Sequence, residues 1–98
     1  MFIDRIVEEL HPLEIWLFGS RAKGTEHAES DWDLMAVLPD GAREEDLDIV
    51  PLWHRLRDIH AKRVELFPIT KSDFEQARRS LGTLAQIVAS EGVVVYAR

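Results

Sequence analysis

The stretch WLFGSRAKGTEHAESDWDL, residues 16–34, passes from an apolar segment through a glycine–serine turn to two aspartates that flank a tryptophan. A strand that ends in Gly-Ser ahead of a short helix presents backbone N–H groups and a helix dipole that favour an anion. Glycine also lets a phosphate group approach the backbone closely. We therefore interpret Gly19 and Ser20 as candidate phosphate-binding residues, with Arg21 and then Lys23 as weaker candidates. A plain strand-to-helix connection is the alternative.

The spacing of Gly19 and Gly24 is superficially similar to that of a P-loop. In a P-loop, a lysine and then a serine or threonine follow the second glycine, and the lysine reaches the phosphates. Here Thr25 follows Gly24 directly and the lysine is missing. The sequence therefore excludes an ordinary P-loop ATPase.

The two aspartates, Asp31 and Asp33, point to the same face of an extended strand, whereas Trp32 points to the other face. Two adjacent carboxylates repel each other, so either one is protonated or a hard cation such as Mg²⁺ or Mn²⁺ lies between them. A turn cap beside a solvated aspartate is the alternative. Together with the preceding turn, the pair predicts a site for a metal-bound nucleoside triphosphate.

The rest of the chain alternates between helical and extended patterns. Its 98 residues, 46% of them hydrophobic, suit a single domain over residues 1–98. We predict an α/β or α+β fold with a small mixed sheet of about four strands and helices packed against it. Pro51 either kinks a helix or lies in its first turn, and we favour the first turn. The predicted helices cover residues 2–10, a short segment after Ser20, 43–62, 70–79 and 81–90, and the predicted strands cover 13–18, 32–38, 63–69 and 93–97.

The composition excludes several functional classes. A net charge of −6 opposes extensive binding of nucleic acid through its phosphates. Without cysteine, the chain has neither disulfides nor a thiolate zinc site. No apolar run approaches the roughly 18 residues that would cross a membrane, and the N-terminal stretch lacks the features of a signal peptide. We therefore expect a cytoplasmic protein.

The segment GSRAKGTEHAESDWDL resembles the signature of the DNA polymerase β-like nucleotidyltransferase superfamily, and the chain resembles its minimal, single-domain (MNT-type) members. The later segments RVELFPITKSDFEQA and LAQIVASEGVVVYA resemble the family's third catalytic strand, the following helix and the C-terminal ending. The resemblance implies that Gly19 and Ser20 bind the triphosphate. It also implies that Asp31 and Asp33 are catalytic metal ligands. The third acid of the family is usually aspartate, and Glu65 stands at its position here.

The activity that this resemblance implies is transfer of a nucleoside monophosphate, AMP from ATP or the equivalent from another NTP, to a hydroxyl of a protein or small molecule. Mg²⁺ or Mn²⁺ would be the cofactor. Minimal members of the family are often encoded beside a small all-helical protein of the HEPN type, a proposed RNase toxin that they neutralise by binding, by nucleotide transfer or by both. We therefore expect such a partner or a homo-oligomer. A non-catalytic subunit that binds nucleotide or neutralises its partner is the alternative, and an antibiotic-modifying enzyme ranks third.

The histidines and tryptophans receive structural interpretations. The histidines share no ligand spacing, so we predict surface positions for all four: His11, His27, His54 and His60. For the tryptophans we favour core packing over base stacking at each position: Trp16, Trp32 and Trp53.

Overall fold

The predicted succession of helices and strands is confirmed in the computed structural model, which describes residues 2–24 and 31–98. Seven helices and four strands follow one another in these residues. The helices are α1 (Phe2–Leu10), α2 (Ser20–Lys23), α3 (Glu44–Leu47), α4 (Ile49–Arg55), α5 (Arg57–His60), α6 (Lys71–Ala77) and α7 (Leu84–Glu91), and the strands are β1 (Glu14–Phe18), β2 (Trp32–Leu38), β3 (Val64–Thr70) and β4 (Val93–Ala97).

The strands form one mixed sheet in the order β3-β2-β1-β4. Strand β1 is antiparallel to both β2 and β4, whereas β2 and β3 are parallel. A parallel pair needs a crossover connection, and helices α3, α4 and α5 supply it. Strand β3 lies at the edge, where Pro68 is tolerated because an edge residue does not need its N–H for a second neighbour.

Each face of the sheet packs against its own hydrophobic cluster, because side chains alternate between the faces of a strand. The first face of β2 carries Leu34 and Ala36 and packs under α1, α4 and α5. The second face carries Met35 and Val37 and packs under α6 and α7. On α1 the buried residues Ile6 and Leu10 are four positions apart, so they lie on one side of the helix.

Residues 43–62 are mostly helical, as predicted, but the segment divides into three short helices, α3, α4 and α5. The first break is at Asp48, whose extended backbone caps α4 and whose carboxylate Oδ1 accepts a hydrogen bond from the N–H of Val50 at 3.1 Å. The second break is at Leu56. The expected place of Pro51 in a first turn is confirmed, since it is the third residue of α4.

A charged network ties these short helices to α1. The Arg55 guanidinium donates to Asp46 Oδ1 at 2.7 Å and to Glu9 Oε2 at 3.1 Å. Glu9 also accepts from Arg5 at 2.8 Å, and the hydrogen bonds from Arg5 and then Arg55 hold the pKa of Glu9 below its ordinary value. Asp46 is only 7% exposed, so its charge depends on Arg55 and on Arg43, which donates to the same oxygen at 3.4 Å.

The positions of the aromatic residues match the predictions in part. Trp16 packs against the cluster on the second face and Trp32 against the cluster on the first face, as expected. Trp53 is 44% exposed, so its predicted core position is wrong. Three of the histidines are described: His11 and His54 are exposed as predicted, whereas His60 is half-buried. His27 lies outside the described residues.

Among residues 2–24 and 31–98, no helix combines the length and the apolar character that a membrane crossing requires.

Candidate active site

The glycine–serine turn adopts a conformation that only glycine takes readily. Strand β1 ends at Phe18, and Gly19 follows with φ 77° and ψ −158°. The carbonyl oxygen of Gly19 accepts the N–H groups of Ala22 and Lys23 at 3.1 and 3.2 Å, which begins α2. Gly24 closes the helix in the left-handed region, with φ 74° and ψ 18°. The two glycines therefore bound the four-residue helix that carries Ser20.

The carboxylate of Asp33 lies directly against this turn. The antiparallel register places Phe18 opposite Asp33, so the residue after Phe18 meets the Asp33 side chain. A Cβ atom added to Gly19 would approach Asp33 Oδ2 closer than 3.0 Å, a separation that real Cβ atoms do not show. Glycine is thus required at position 19 both for its backbone conformation and for the space that the carboxylate occupies.

The sheet register also brings Glu65 beside Asp33. The two residues are direct partners in the parallel pairing of β2 and β3, so their side chains leave the same face of the sheet. Burial raises the pKa of Asp33 above its ordinary value, and the charges of Asp31 and Glu65 raise it further. The charges of two predicted site residues, Asp31 and Glu65, therefore act on a third, Asp33, which lies against the Gly19 turn.

The three carboxylates do not converge on one point. In the two described parts of the chain, no three histidine, aspartate or glutamate side chains are grouped closely enough to hold a metal ion. Asp31 precedes β2 and is exposed, and its Oδ1 lies 3.9 Å from Nη1 of Arg63. Like charges separate unless a cation lies between them. The donors are nevertheless hard oxygen ligands of the kind that Mg²⁺ and Mn²⁺ prefer, so their chemistry fits such an ion.

Comparison with known proteins places this arrangement in a family. The model of the nucleotidyltransferase domain family matches residues 2–94. The chain belongs to this family. No curated protein matches the chain.

Two solved structures share the nucleotidyltransferase fold. One is a crystal structure of a toxin–antitoxin with AMP-PNP, with a TM-score of 0.61 and 24% identity over 98% of this chain and 71% of that chain. The other is a proposed nucleotidyltransferase from Sulfolobus solfataricus, with a TM-score of 0.63 and 18% identity over 98% of this chain and 74% of that chain. The predicted family and fold are thereby confirmed.

The basic residues of α2 make contacts within the nucleotidyltransferase domain itself. The Arg21 guanidinium carbon lies 4.0 Å from the ring centroid of Trp32, in cation–π geometry. Nζ of Lys23 lies 2.7 Å from Oε1 of Glu91 at the end of α7. Because Trp32 faces away from Asp33, a phosphate ligand role for Arg21 requires its side chain to leave this stack.

A second group of residues beside Glu65 was missed by the sequence reasoning. The rings of Trp53 and His60 pack with centroids 5.0 Å apart and planes inclined by 40°. With Phe67 and Glu65 they line a small cleft of about 60 Å³ at the outer edge of β3. The signal was present in α4, where three large apolar residues, Ile49, Val50 and Trp53, are exposed although only Leu52 is buried. The nucleotidyltransferase domain thus has an aromatic surface next to its candidate third acid.

Proposed function

We propose that this nucleotidyltransferase domain transfers a nucleoside monophosphate, AMP from ATP, to a hydroxyl group of a protein or small molecule. The observation that carries this proposal is the position of Asp33, against the Gly19 turn and beside Glu65. A triphosphate at the turn would meet the carboxylates as like charges, and a divalent cation would convert that repulsion into binding.

In this proposal each residue has a separate role. Gly19 and Ser20 bind the triphosphate, Arg21 supports it, and Asp31 and Asp33 hold the metal together with Glu65. When bound, Mg²⁺ supplies Lewis-acid stabilisation of the charge on the phosphates.

The transfer itself makes one bond and breaks one bond at the α-phosphorus. The acceptor oxygen bonds to this phosphorus, and the bond to the bridging oxygen of pyrophosphate breaks with its electron pair leaving on pyrophosphate. Glu65 is the more exposed of the two facing carboxylates, and it takes the proton of the acceptor hydroxyl.

We further propose that the domain works with a protein partner, either a small helical protein of the HEPN type or a second copy. The similar fold of a toxin–antitoxin structure supports this proposal. Exposed apolar side chains also support it, because a large apolar surface is usually covered in a complex. They include Leu84 and Ile87 of α7 and Val93, Val94 and Val95 of β4.

A non-catalytic, partner-neutralising subunit is the second candidate function. It is favoured by glutamate at position 65 in place of the family's usual aspartate. The extra methylene moves the carboxylate by about 1.5 Å, a bond length, and adds a rotatable bond. Phosphoryl transfer is sensitive to misplacement of this size, on the order of a hundredfold in rate per ångström.

The decisive experiment separates nucleotide binding from nucleotide transfer. Calorimetry with Mg²⁺ and ATP should show binding that EDTA abolishes and that Asp33→Asn weakens at least tenfold. ATP labelled at the α-phosphate should then label the proposed protein partner, a small helical protein or a second copy of this chain, with release of pyrophosphate.

Glu65→Gln should bind ATP but fail to transfer, whereas Glu65→Asp should retain or raise the rate. Glu44→Gln, an exposed acid on α3, is the matched control and should leave the rate unchanged. ATP binding that is unaffected by EDTA would refute the proposed site. Binding without transfer to any acceptor, in wild type and Glu65→Asp alike, would favour the non-catalytic subunit.

A further inference from the structure

The cleft at the outer edge of β3 adjoins the carboxylate that accepts the proton in the proposed reaction. Glu65 and His60 are the polar residues of its lining. The apolar part of the lining includes the buried Leu66 and the rings of Trp53 and Phe67. An apolar group that binds in the cleft therefore leaves water and lies next to Glu65.

The volume of this cleft excludes a whole ligand molecule. It holds about 60 Å³, whereas an apolar cavity of about 150 Å³ holds benzene and ligand pockets begin at roughly 300 Å³. The end of one aliphatic side chain fits. Ile49 of the lining, 52% exposed, and Val50, 64% exposed, continue the apolar surface along α4. The occupant is therefore one side chain of a larger molecule that lies across α4, as a protein segment would.

The sheet register fixes the side of the candidate metal site on which this cleft lies. Phe18, Asp33 and Glu65 are successive partners across β1, β2 and β3. The Gly19 turn lies at one end of this row and Glu65 at the other, two strand spacings or about 10 Å apart, with the cleft beside Glu65. In an in-line transfer, the leaving pyrophosphate and the attacking hydroxyl are on opposite sides of the α-phosphorus. With the triphosphate at the Gly19 turn, the hydroxyl therefore enters from the side of Glu65 and the cleft.

We propose that the cleft is the acceptor-binding subsite, and that it holds an aliphatic side chain of an extended protein segment whose hydroxyl residue reaches Glu65. Side chains two residues apart lie on the same face of an extended segment, about 7 Å from each other, so a side chain in the cleft brings that hydroxyl beside Glu65. The hydroxyl oxygen then bonds to the α-phosphorus, its proton passes to Glu65, and pyrophosphate leaves with the electron pair of the broken bond. The transfer rests on the proposed function, whereas the binding of the segment stands by itself.

Short peptides test the subsite without nucleotide. Ac-Gly-Leu-Gly-Ser-Gly-NH₂ and Ac-Gly-Ser-Gly-Leu-Gly-NH₂ carry leucine and serine two residues apart in the two chain directions, and asparagine replaces leucine in their polar counterparts. In NMR titrations of the full chain, at least one leucine peptide should shift the indole N–H signal of Trp53 and the ring signals of His60. It should bind on the order of fivefold tighter than its asparagine counterpart, because the leucine side chain is partly buried. Equal affinities within both pairs, or unshifted Trp53 and His60 signals, would refute the subsite.

Exposed positions provide the matched variants. Trp53→Ala removes an aromatic part of the lining, and Ile49→Gln makes another exposed part of it polar. Each should weaken binding of the leucine peptide on the order of fivefold and leave the asparagine peptide unaffected. Leu81→Gln, at a 93% exposed position outside the lining, should bind like the wild type. Urea unfolding shows which variants are folded, and Ile49→Gln decides if Trp53→Ala is not. Binding of the leucine peptide that is the same in Ile49→Gln and Leu81→Gln would overturn the proposal.

Transfer to the same peptides then tests the acceptor role. With ATP labelled at the α-phosphate, the leucine peptide should be labelled at a higher kcat/KM than the asparagine peptide. Ile49→Gln should raise the KM of the leucine peptide and leave the affinity for Mg²⁺-ATP near that of the wild type. Labelling of both peptides at the same kcat/KM would refute the acceptor role of the cleft. If the leucine peptide binds as expected and receives no label, the result counts against the proposed function alone, because the NMR experiments do not depend on transfer.

Discussion

Replacing Gly19 by alanine tests the candidate active site at its tightest point. The backbone there has φ 77° and ψ −158°, a region that glycine alone occupies readily. The new Cβ would also approach Asp33 Oδ2 within a separation that real Cβ atoms do not show. The substitution therefore strains the turn and displaces the carboxylate, while it removes no polar group.

The expected magnitudes differ for stability and for function. Residues held in this backbone region cost about 1–3 kcal/mol, so the free energy of unfolding should fall by about that amount. A small domain with about 5–15 kcal/mol of stability should remain folded. To restore van der Waals contact, the Asp33 carboxylate must move by roughly 1 Å, and such a displacement of a catalytic group costs on the order of a hundredfold in rate.

Gly24→Ala separates the two effects. Gly24 also has a positive φ, 74°, but within residues 2–24 and 31–98 an added Cβ would meet no atom closer than 4 Å. Alanine there should cost about 1–2 kcal/mol of stability, as expected for the left-handed region, and should leave Mg²⁺-ATP affinity near that of the wild type. Gly41→Ala, at an open position without a positive φ, should change neither quantity by much.

Urea unfolding measures the stabilities of the three variants, and calorimetry with Mg²⁺-ATP followed by transfer of the labelled α-phosphate measures function. Gly19→Ala should lower both the free energy of unfolding and, in the folded protein, the Mg²⁺-ATP affinity and the transfer rate. Gly24→Ala should lower the free energy of unfolding alone. If folded Gly19→Ala bound and transferred nucleotide like Gly24→Ala, Asp33 would not act from its position against the turn, and the site would be wrongly assigned.

Two further predictions concern charge and stability. Because the pKa of Asp33 is raised above its ordinary value of 3.8, the stability that Asp33 contributes is present below pH 3.8 and is lost as the pH rises through its folded pKa. Urea unfolding in EDTA should therefore show Asp33→Asn gaining stability relative to the wild type as the pH rises through that range, and parallel pH profiles would contradict the pKa shift. Arg55→Met removes the 2.7 Å partner of the buried Asp46 and should lower the free energy of unfolding by about 1–3 kcal/mol, with partial recovery in Arg55→Met/Asp46→Leu. No recovery in the double variant would show that the loss comes from the arginine's other contacts.

Local pattern was sufficient to predict most of the helices and strands and to suggest part of the candidate site. The turn at Gly19 and the place of Asp33 in β2 follow from rules that act over a few residues: glycine's backbone freedom and the alternation of side chains along a strand. The same rules, with the resemblance of the catalytic segments, predicted the family. The division of residues 43–62 into three helices was not predicted, because the capping of α4 by Asp48 competes with helical periodicity.

Which site residues become neighbours, and which aromatic side chains are exposed, was decided by contacts between distant parts of the chain. The sequence by itself determined that Asp33 and Glu65 lie in strands, but only the parallel pairing of β2 and β3 made them direct partners. Likewise, only the packing of α4 in the complete fold decides that Leu52 is buried while its neighbour Trp53 is exposed. Strand order and helix packing are set by the burial of the whole apolar surface, a property of the complete fold that no short window of sequence contains.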